Sequence, residues 1–439
     1  MTIIPMLSKY IPFLTITVLI VFLILLFFSK EEKNKLYIKY ILLSYPLIGL
    51  NIYSGNLSIN NFEIITVFFW VVFFKQEQKL FTKEVQINNI LISIIVLSGI
   101  MGVILSNSIT LDTLKAFIEL ITILIYGKIL IQECLKDHEF IHEVTRGIKI
   151  SIIISLIFLV CQVFIGLDFT ISKSLNGNIF QDDSIRYPSY FQDPQKYAQF
   201  LSVGSFLLLI ENEKSKKMIF NYLLLSAIIV AILFTGGRAA LGGWAIGFTI
   251  ILLFANIDLK IFTSILIAII GLIIYIYKDK FIIFNRGDNI NDSYLFRVGI
   301  WKDAYKIFLA HPYFGIAPGN YSNYVSIHNQ DQFWMADNQI LYYDHPESGY
   351  LKILTEYGII GFLSFFLIII ITITKGFKQF IKTKDLNAII LISSITCWLI
   401  GFYTIYSLGD VRIQILIVTI ISLLIVNNKT LNIKQINKQ

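Results

Sequence analysis

Long apolar runs separated by short polar stretches organise this chain. Runs rich in Ile, Leu and Phe, almost free of charge for roughly 16–24 residues at a stretch, recur along it. A helix needs about 20 such residues to cross ~30 Å of hydrocarbon. Thirteen segments are predicted, at about 10–28, 36–53, 59–74, 87–105, 114–132, 148–167, 196–210, 219–235, 239–255, 258–277, 349–373, 386–404 and 411–426. The expected fold is all-α: a polytopic transmembrane helix bundle of about 13 helices, within a range of 12–14. A β-barrel is excluded, because its strands show two-residue alternation and these blocks are continuously apolar.

The polar connections give an orientation. Basic residues mark every second loop: Lys30, Lys33 and Lys35; Lys75, Lys79 and Lys83; Lys136 and Arg146; Lys214, Lys216 and Lys217; Lys375, Lys378, Lys382 and Lys384; and the tail lysines. The 256–257 turn is the one weak member, helped by Lys260. The alternate loops 54–61, 106–113 and 405–410 carry no Lys or Arg. Cationic loops stay in the cytoplasm, so the expected N-terminus is outside and the C-terminus cytoplasmic. The run from Tyr10 to Phe28 lacks a small-residue cleavage site and is expected to be a retained helix, with no signal peptide. Two loops, 168–195 and 278–348, are too long to be simple connectors, and both fall outside. The expected organisation is therefore a bundle of helices 1–10 over 1–277, a large extracytoplasmic loop over 278–348, and C-terminal transmembrane helices with a cytoplasmic tail over 349–439.

Composition agrees with this reading. The chain of 439 residues is 56% hydrophobic, 15% aromatic and only 15% charged, with a mean hydropathy of +0.72. A soluble domain carries about 25% charged residues. The net charge of +7 resides mostly in cytoplasmic loops, so it speaks of orientation, and no nucleic-acid partner is expected. Cys134, Cys161 and Cys397 lie far apart in or beside apolar segments and read as small packing residues, not as a disulfide or metal site.

Charges that break the loop pattern are the candidates for chemistry. Arg238 lies in Thr235-Gly236-Gly237-Arg238, between two apolar segments on the outer side, where a charge costs about 2.5–3.5 kcal/mol. The two glycines let the backbone break the helix and present N–H groups, which with a guanidinium make a phosphate site. A guanidinium snorkelling to headgroups is the plain alternative. Arg297 falls on the apolar stripe of a predicted helix over 294–309, with Trp301, Ala304, Tyr305 and Phe308, and needs an anionic partner, protein or ligand. Asp344, His345 and Glu347 cluster where the long loop returns to the membrane, and suit general acid/base work; no second ligand cluster supports a metal there. The loop 278–348 holds 15 aromatic residues, eight acidic and six basic ones, which suits packing and sugar stacking better than nucleic acid. Glu119 and Lys115 read as an i,i+4 pair.

The order of these features resembles the bacterial O-antigen polymerase (Wzy) and O-antigen ligase superfamily, over roughly 187–365. The resemblance rests on Phe191-Gln192-Asp193-Pro194, Thr235-Gly236-Gly237-Arg238, Arg297 through Trp301, His311-Pro312-Tyr313-Phe314-Gly315-Ile316-Ala317-Pro318-Gly319-Asn320, and Leu351 through Gly361. It implies a metal-free and cofactor-free enzyme of the bacterial cytoplasmic membrane, moving glycan from an undecaprenyl-diphosphate carrier to an acceptor sugar on the outer face. A chain-length regulator and a flippase would be its partners. Arg238 and Arg297 would bind the diphosphate, with Asp193, Gly236, Gly237 and Trp301 in support. The family usually carries a His eleven residues before the first Gly of the closing Gly-x-x-Gly; here that position is Glu347, with His345 two residues earlier, so either is a candidate base. This departure favours a polymerase of oligosaccharide repeat units over a ligase transferring finished glycan. A flippase for the same lipid-linked sugar is the alternative of another class, disfavoured because the informative charges gather on one side. His311, before Pro312, is expected to end a helix.

Overall fold

The computed structural model of the protein describes residues 10–53, 59–74, 83–107, 109–171, 184–210, 215–255, 290–328, 333–336, 339–342 and 345–436, with a few single positions between them. Among these residues there are fifteen α-helices and three two-stranded antiparallel hairpins, and the fold is the expected all-α bundle. The helices are α1 (Ile11–Phe28), α2 (Lys33–Leu43), α3 (Tyr45–Ile48), α4 (Asn61–Val72), α5 (Lys83–Ser106), α6 (Leu111–Lys136), α7 (Phe140–Ile165), α8 (Pro194–Ser205), α9 (Ser215–Thr235) and α10 (Arg238–Phe254). They continue with α11 (Ile290–Ala310), α12 (Tyr321–His328), α13 (Gly349–Thr383), α14 (Leu386–Phe402) and α15 (Val411–Ile436). The tenth expected segment, 258–277, lies largely outside the described residues.

Five helices are long and apolar enough to cross a bilayer: α1, α5 from Gln86, α7, α13, and α15 as far as Asn428. Shorter apolar helices are α4, α9 from Phe220, α10 and α14. Only 22–33% of the apolar windows of α1, α5, α7 and α13 is buried within the protein, against 83% for α15. Large side chains such as Phe13, Phe28 and Phe164 face outward, which suits hydrocarbon solvent and no other. This is an integral membrane protein with α15 at its centre, packed by α6, α8, α13 and α14.

The segment expected over 36–53 is not one helix. Pro46 has no N–H and its ring obstructs the carbonyl four residues back, so α2 ends at Leu43, with Ser44 as its cap, and Pro46 sits in the first turn of α3. The segment over 196–210 is likewise α8 followed by a 3₁₀ turn at Phe206–Leu209. Local chemistry fixes several starts: Asn60 and Glu63 cap α4 reciprocally, Thr110 caps α6, Asp193 caps α8 ahead of Pro194, and Asp385 caps α14. The three cysteines are free thiols.

The bundle has two chemically different ends. α6 and α15 run side by side, with Tyr126 hydrogen-bonded to Thr419 at 2.8 Å, so Lys136 and Asn427 lie at one end. Around them Lys35 pairs with Asp137 at 2.7 Å, Lys39 with Glu143 at 2.8 Å, and Asn427 donates to Asp385 at 2.9 Å. α10 and α14 are antiparallel: a Cβ on Gly243 would lie 2.7 Å from the Cys397 carbonyl, and one on Gly247 2.8 Å from that of Ser393. That register brings Arg238 level with Phe402, at the end away from Lys136. A Cβ on Gly349 would strike the Phe402 ring, so the start of α13 joins the same end.

Candidate functional site

Arg238 is the first residue of α10, half-buried, after a turn that breaks the run from α9. Gly236 has φ +67°, a conformation that costs a side chain about 1–2 kcal/mol. A Cβ on Gly237 would lie 2.5 Å from that of Ala198 in α8, so both glycines are required by geometry. The Thr235 hydroxyl accepts from the Gly237 N–H at 3.2 Å. Arg186, 1% exposed, donates its Nε–H to the Thr235 carbonyl at 2.7 Å. Two arginines therefore meet the broken helix, of which the sequence singled out one. Asp193 accepts from Gln195 N–H at 2.7 Å; its place is at the cap of α8, the helix whose Ala198 meets the glycine turn.

Arg297 finds a carboxylate. Its Nη2 lies 3.7 Å from Glu347 Oε2 across 50 residues of chain, and both side chains stay partly exposed. At that distance it is an ion pair without a direct hydrogen bond, and partly exposed pairs stabilise by only about 0–1 kcal/mol. Glu347 has φ +50°, strain of order 1 kcal/mol for a non-glycine residue. The backbone thus spends as much holding this carboxylate as the ion pair returns. His345 Nδ1 accepts the Glu347 N–H at 3.2 Å. In a neutral imidazole the accepting nitrogen is the one with the free lone pair, so the basic nitrogen of His345 is already engaged in shaping the turn. Trp301, one turn after Arg297, packs edge-on against Tyr403 at 5.2 Å. Its Nε1, enclosed, has no hydrogen-bond partner among the described residues.

The α11 stripe differs in detail from expectation: Ile300, Ala304 and Ile307 are the buried positions, while Tyr305 is 51% exposed. Tyr305 stands about 100° round the helix from Ala304 and turns away from the core. Glu119 and Lys115 do lie 3.9 Å apart, and His311 follows directly on the last residue of α11.

The two motif stretches at 311–320 and 351–361 interlock. Ile316 N–H donates to Thr355 O at 2.9 Å and Ile359 N–H to Pro312 O at 2.8 Å. Gly358, at φ +62°, breaks α13, and a Cβ there would lie 2.3 Å from the Tyr313 carbonyl carbon; one on Gly315, at φ +71°, would lie 2.4 Å from that of Glu356. The backbones touch at both positions. Beneath them Lys352, almost buried, pairs with Glu356 at 2.8 Å and lies over the rings of Tyr321 and Tyr406, and Tyr406 lies 6.0 Å from His345.

A second buried pair was not anticipated. Arg412 Nη2 lies 2.6 Å and Nε 2.8 Å from the Asp410 carboxylate, while Nη1 donates to Tyr190 O at 2.8 Å. Its guanidinium covers the Phe191 ring at 4.1 Å. Burial works to raise the Asp410 pKa, and the charge and hydrogen bonds of Arg412 outweigh it, holding the carboxyl below its ordinary value. The signal was present in the sequence as an arginine one residue inside an apolar segment.

Residues 223–366 match the O-antigen ligase family (Wzy_C). The match covers about a third of the chain, from within α9 into α13, and supports membership of the O-antigen polymerase and ligase superfamily. It includes Arg238, Arg297, Trp301, His345, Glu347 and both interlocked stretches; Asp193 and the Asp410–Arg412 pair lie outside it. No curated protein matches the chain. The O-antigen ligase match supports a role in polysaccharide assembly by glycan transfer. Among the described residues no group of His, Cys, Asp and Glu is arranged to hold a metal ion.

Proposed function

We propose that the protein polymerises lipid-diphosphate-linked oligosaccharide repeat units on the outer face of the bacterial cytoplasmic membrane, with Glu347 as the base and Arg297 and Arg238 at the diphosphate. The observation that carries this reading is the Arg297–Glu347 pair, held by a strained backbone where the long loop returns to the bundle. An acceptor hydroxyl attacks C1 of the donor sugar and its proton passes to the Glu347 carboxylate. The bond from C1 to the diphosphate oxygen breaks and that oxygen keeps the electron pair. Arg297, beside the base, and Arg238, at the N-terminal end of α10 with its N–H groups, are suited to the charge that develops there. His345 fixes the turn that carries Glu347. Undecaprenyl diphosphate as carrier, and an outward N-terminus, complete the reading.

A glycan profile of a deletion strain tests it. Lipid-linked single repeats accumulating outside the membrane are expected. Long unattached chains would instead indicate a ligase, and single repeats retained inside a flippase; either result would replace this proposal.

A further inference from the structure

Besides the Arg297–Glu347 pair, the bundle holds a polar concavity that neither residue lines. A cavity of about 470 Å³ opens between the α5–α6 connection, the end of α11 and α12, within the range of small-molecule sites. The hydroxyls of Ser106 and Thr110 and the amides of Asn107, Asn320 and Asn323 line it. Leu105, Ile109 and Ile327 give it apolar edges, and among the described residues no Lys, Arg, Asp or Glu borders it. Three rings complete the wall. Tyr324 stacks on His328 with centroids 4.2 Å apart and 17° between planes, and meets His311 edge-on, its hydroxyl 3.3 Å from His311 Nε2. Burial first, and the neighbouring His328 second, push the His311 pKa below the ordinary imidazole value, which favours the neutral ring there.

Uncharged amides and hydroxyls, each able to donate and accept, match vicinal sugar hydroxyls. Stacked rings match the C–H face of a pyranose. We propose that this cavity is a subsite for a neutral sugar residue, distinct from the charged pair at Arg297 and Glu347. Asn323 lies on α12, held at 3.1 Å from Asn320 Oδ1, and Asn320 in turn donates to Ile316 O at 2.8 Å. The same backbone interlock that supports α13 therefore also sets the cavity wall. That the occupant is part of the glycan being assembled rests on the polymerase reading; that the cavity takes a sugar does not.

The test is saturation-transfer NMR on the full chain in lipid nanodiscs, with the methyl glycosides of glucose, galactose and N-acetylglucosamine as probes and glycerol as a polyol control. At least one glycoside should receive saturation, reduced fivefold or more by His328→Ala, whose side chain is exposed, and by Asn323→Ala. Arg297→Ala should leave it unchanged. No transfer to any glycoside, equal transfer to glycerol, persistence in both cavity variants, or loss with Arg297→Ala would each overturn the proposal. The readout needs no catalysis, so a ligase or flippase phenotype in the deletion strain leaves it standing.

Discussion

Removing the Asp410 carboxylate should do more damage than removing both members of its pair. Arg412 is 3% exposed, and in Asp410→Ala it keeps its bond to Tyr190 O and the Tyr190 and Phe191 rings, losing acceptors for Nε, Nη2 and its own backbone N–H. Breaking a buried pair on one side typically costs about 3–5 kcal/mol, whereas exchange of the whole pair for apolar side chains is close to neutral. Thermal unfolding of the full chain in nanodiscs should show Asp410→Ala lowered by about 5 °C or more, and Asp410→Ala/Arg412→Met recovering most of that loss. pH supplies an independent check. The folded Asp410 pKa lies below the unfolded value near 3.8, so its contribution is complete above that value and is lost as pH falls through the folded pKa. The gap between the parent chain and Asp410→Ala should therefore stay constant above about pH 4 and narrow as pH falls further, through the folded pKa. A single variant as stable as the parent, or a double variant no better than the single, would refute the argument.

Glu347→Gln keeps volume and removes the proposed base, so transfer should fall about 10²–10⁴-fold in a repeat-unit polymerisation assay, while His345→Ala should lose about tenfold through a loosened turn; a larger loss in His345→Ala than in Glu347→Gln would exchange their assignments. Arg297→Lys keeps charge without the planar fork and should retain partial activity where Arg297→Ala and Arg238→Ala retain almost none; normal polymer length in both alanine variants removes the diphosphate assignment. Gly358→Ala should destabilise by about 2 kcal/mol or more, from positive φ and backbone collision together, read as lower abundance and earlier unfolding.

Much of this was legible because membrane helices declare themselves by continuous apolarity. The break at Thr235-Gly236-Gly237 was readable for the same reason, since two glycines interrupt an otherwise unbroken run. Pro46 should have split the second segment, yet the apolar residues on either side of it masked the break. What stayed hidden was pairing at long range. Nothing local links Arg297 to Glu347, or Arg186 to Thr235, because those contacts arise from how α8, α9, α11 and α13 cross. Arg412 was overlooked because one charge barely dents the hydropathy of a long window, although burial of that one charge organises the loops beneath it. Tyr305 failed as a packing residue for a simpler reason, being wide of the buried stripe by a single position.

The break at Gly358 divides the labour of α13. From Gly358 to Thr383 the helix extends roughly 39 Å at about 1.5 Å per residue, already longer than the ~30 Å hydrocarbon slab. The two turns before the break are therefore released from bridging the bilayer. They act as a short boom mounted on an anchored mast, set at its own angle by the glycine joint, with the Lys352–Glu356 pair along its length and Glu347 just beyond its tip. Because the 311–320 stretch hydrogen-bonds on both sides of that joint, the boom's angle is fixed by the interlock, and any shift in that stretch is passed to the carboxylate beyond the tip.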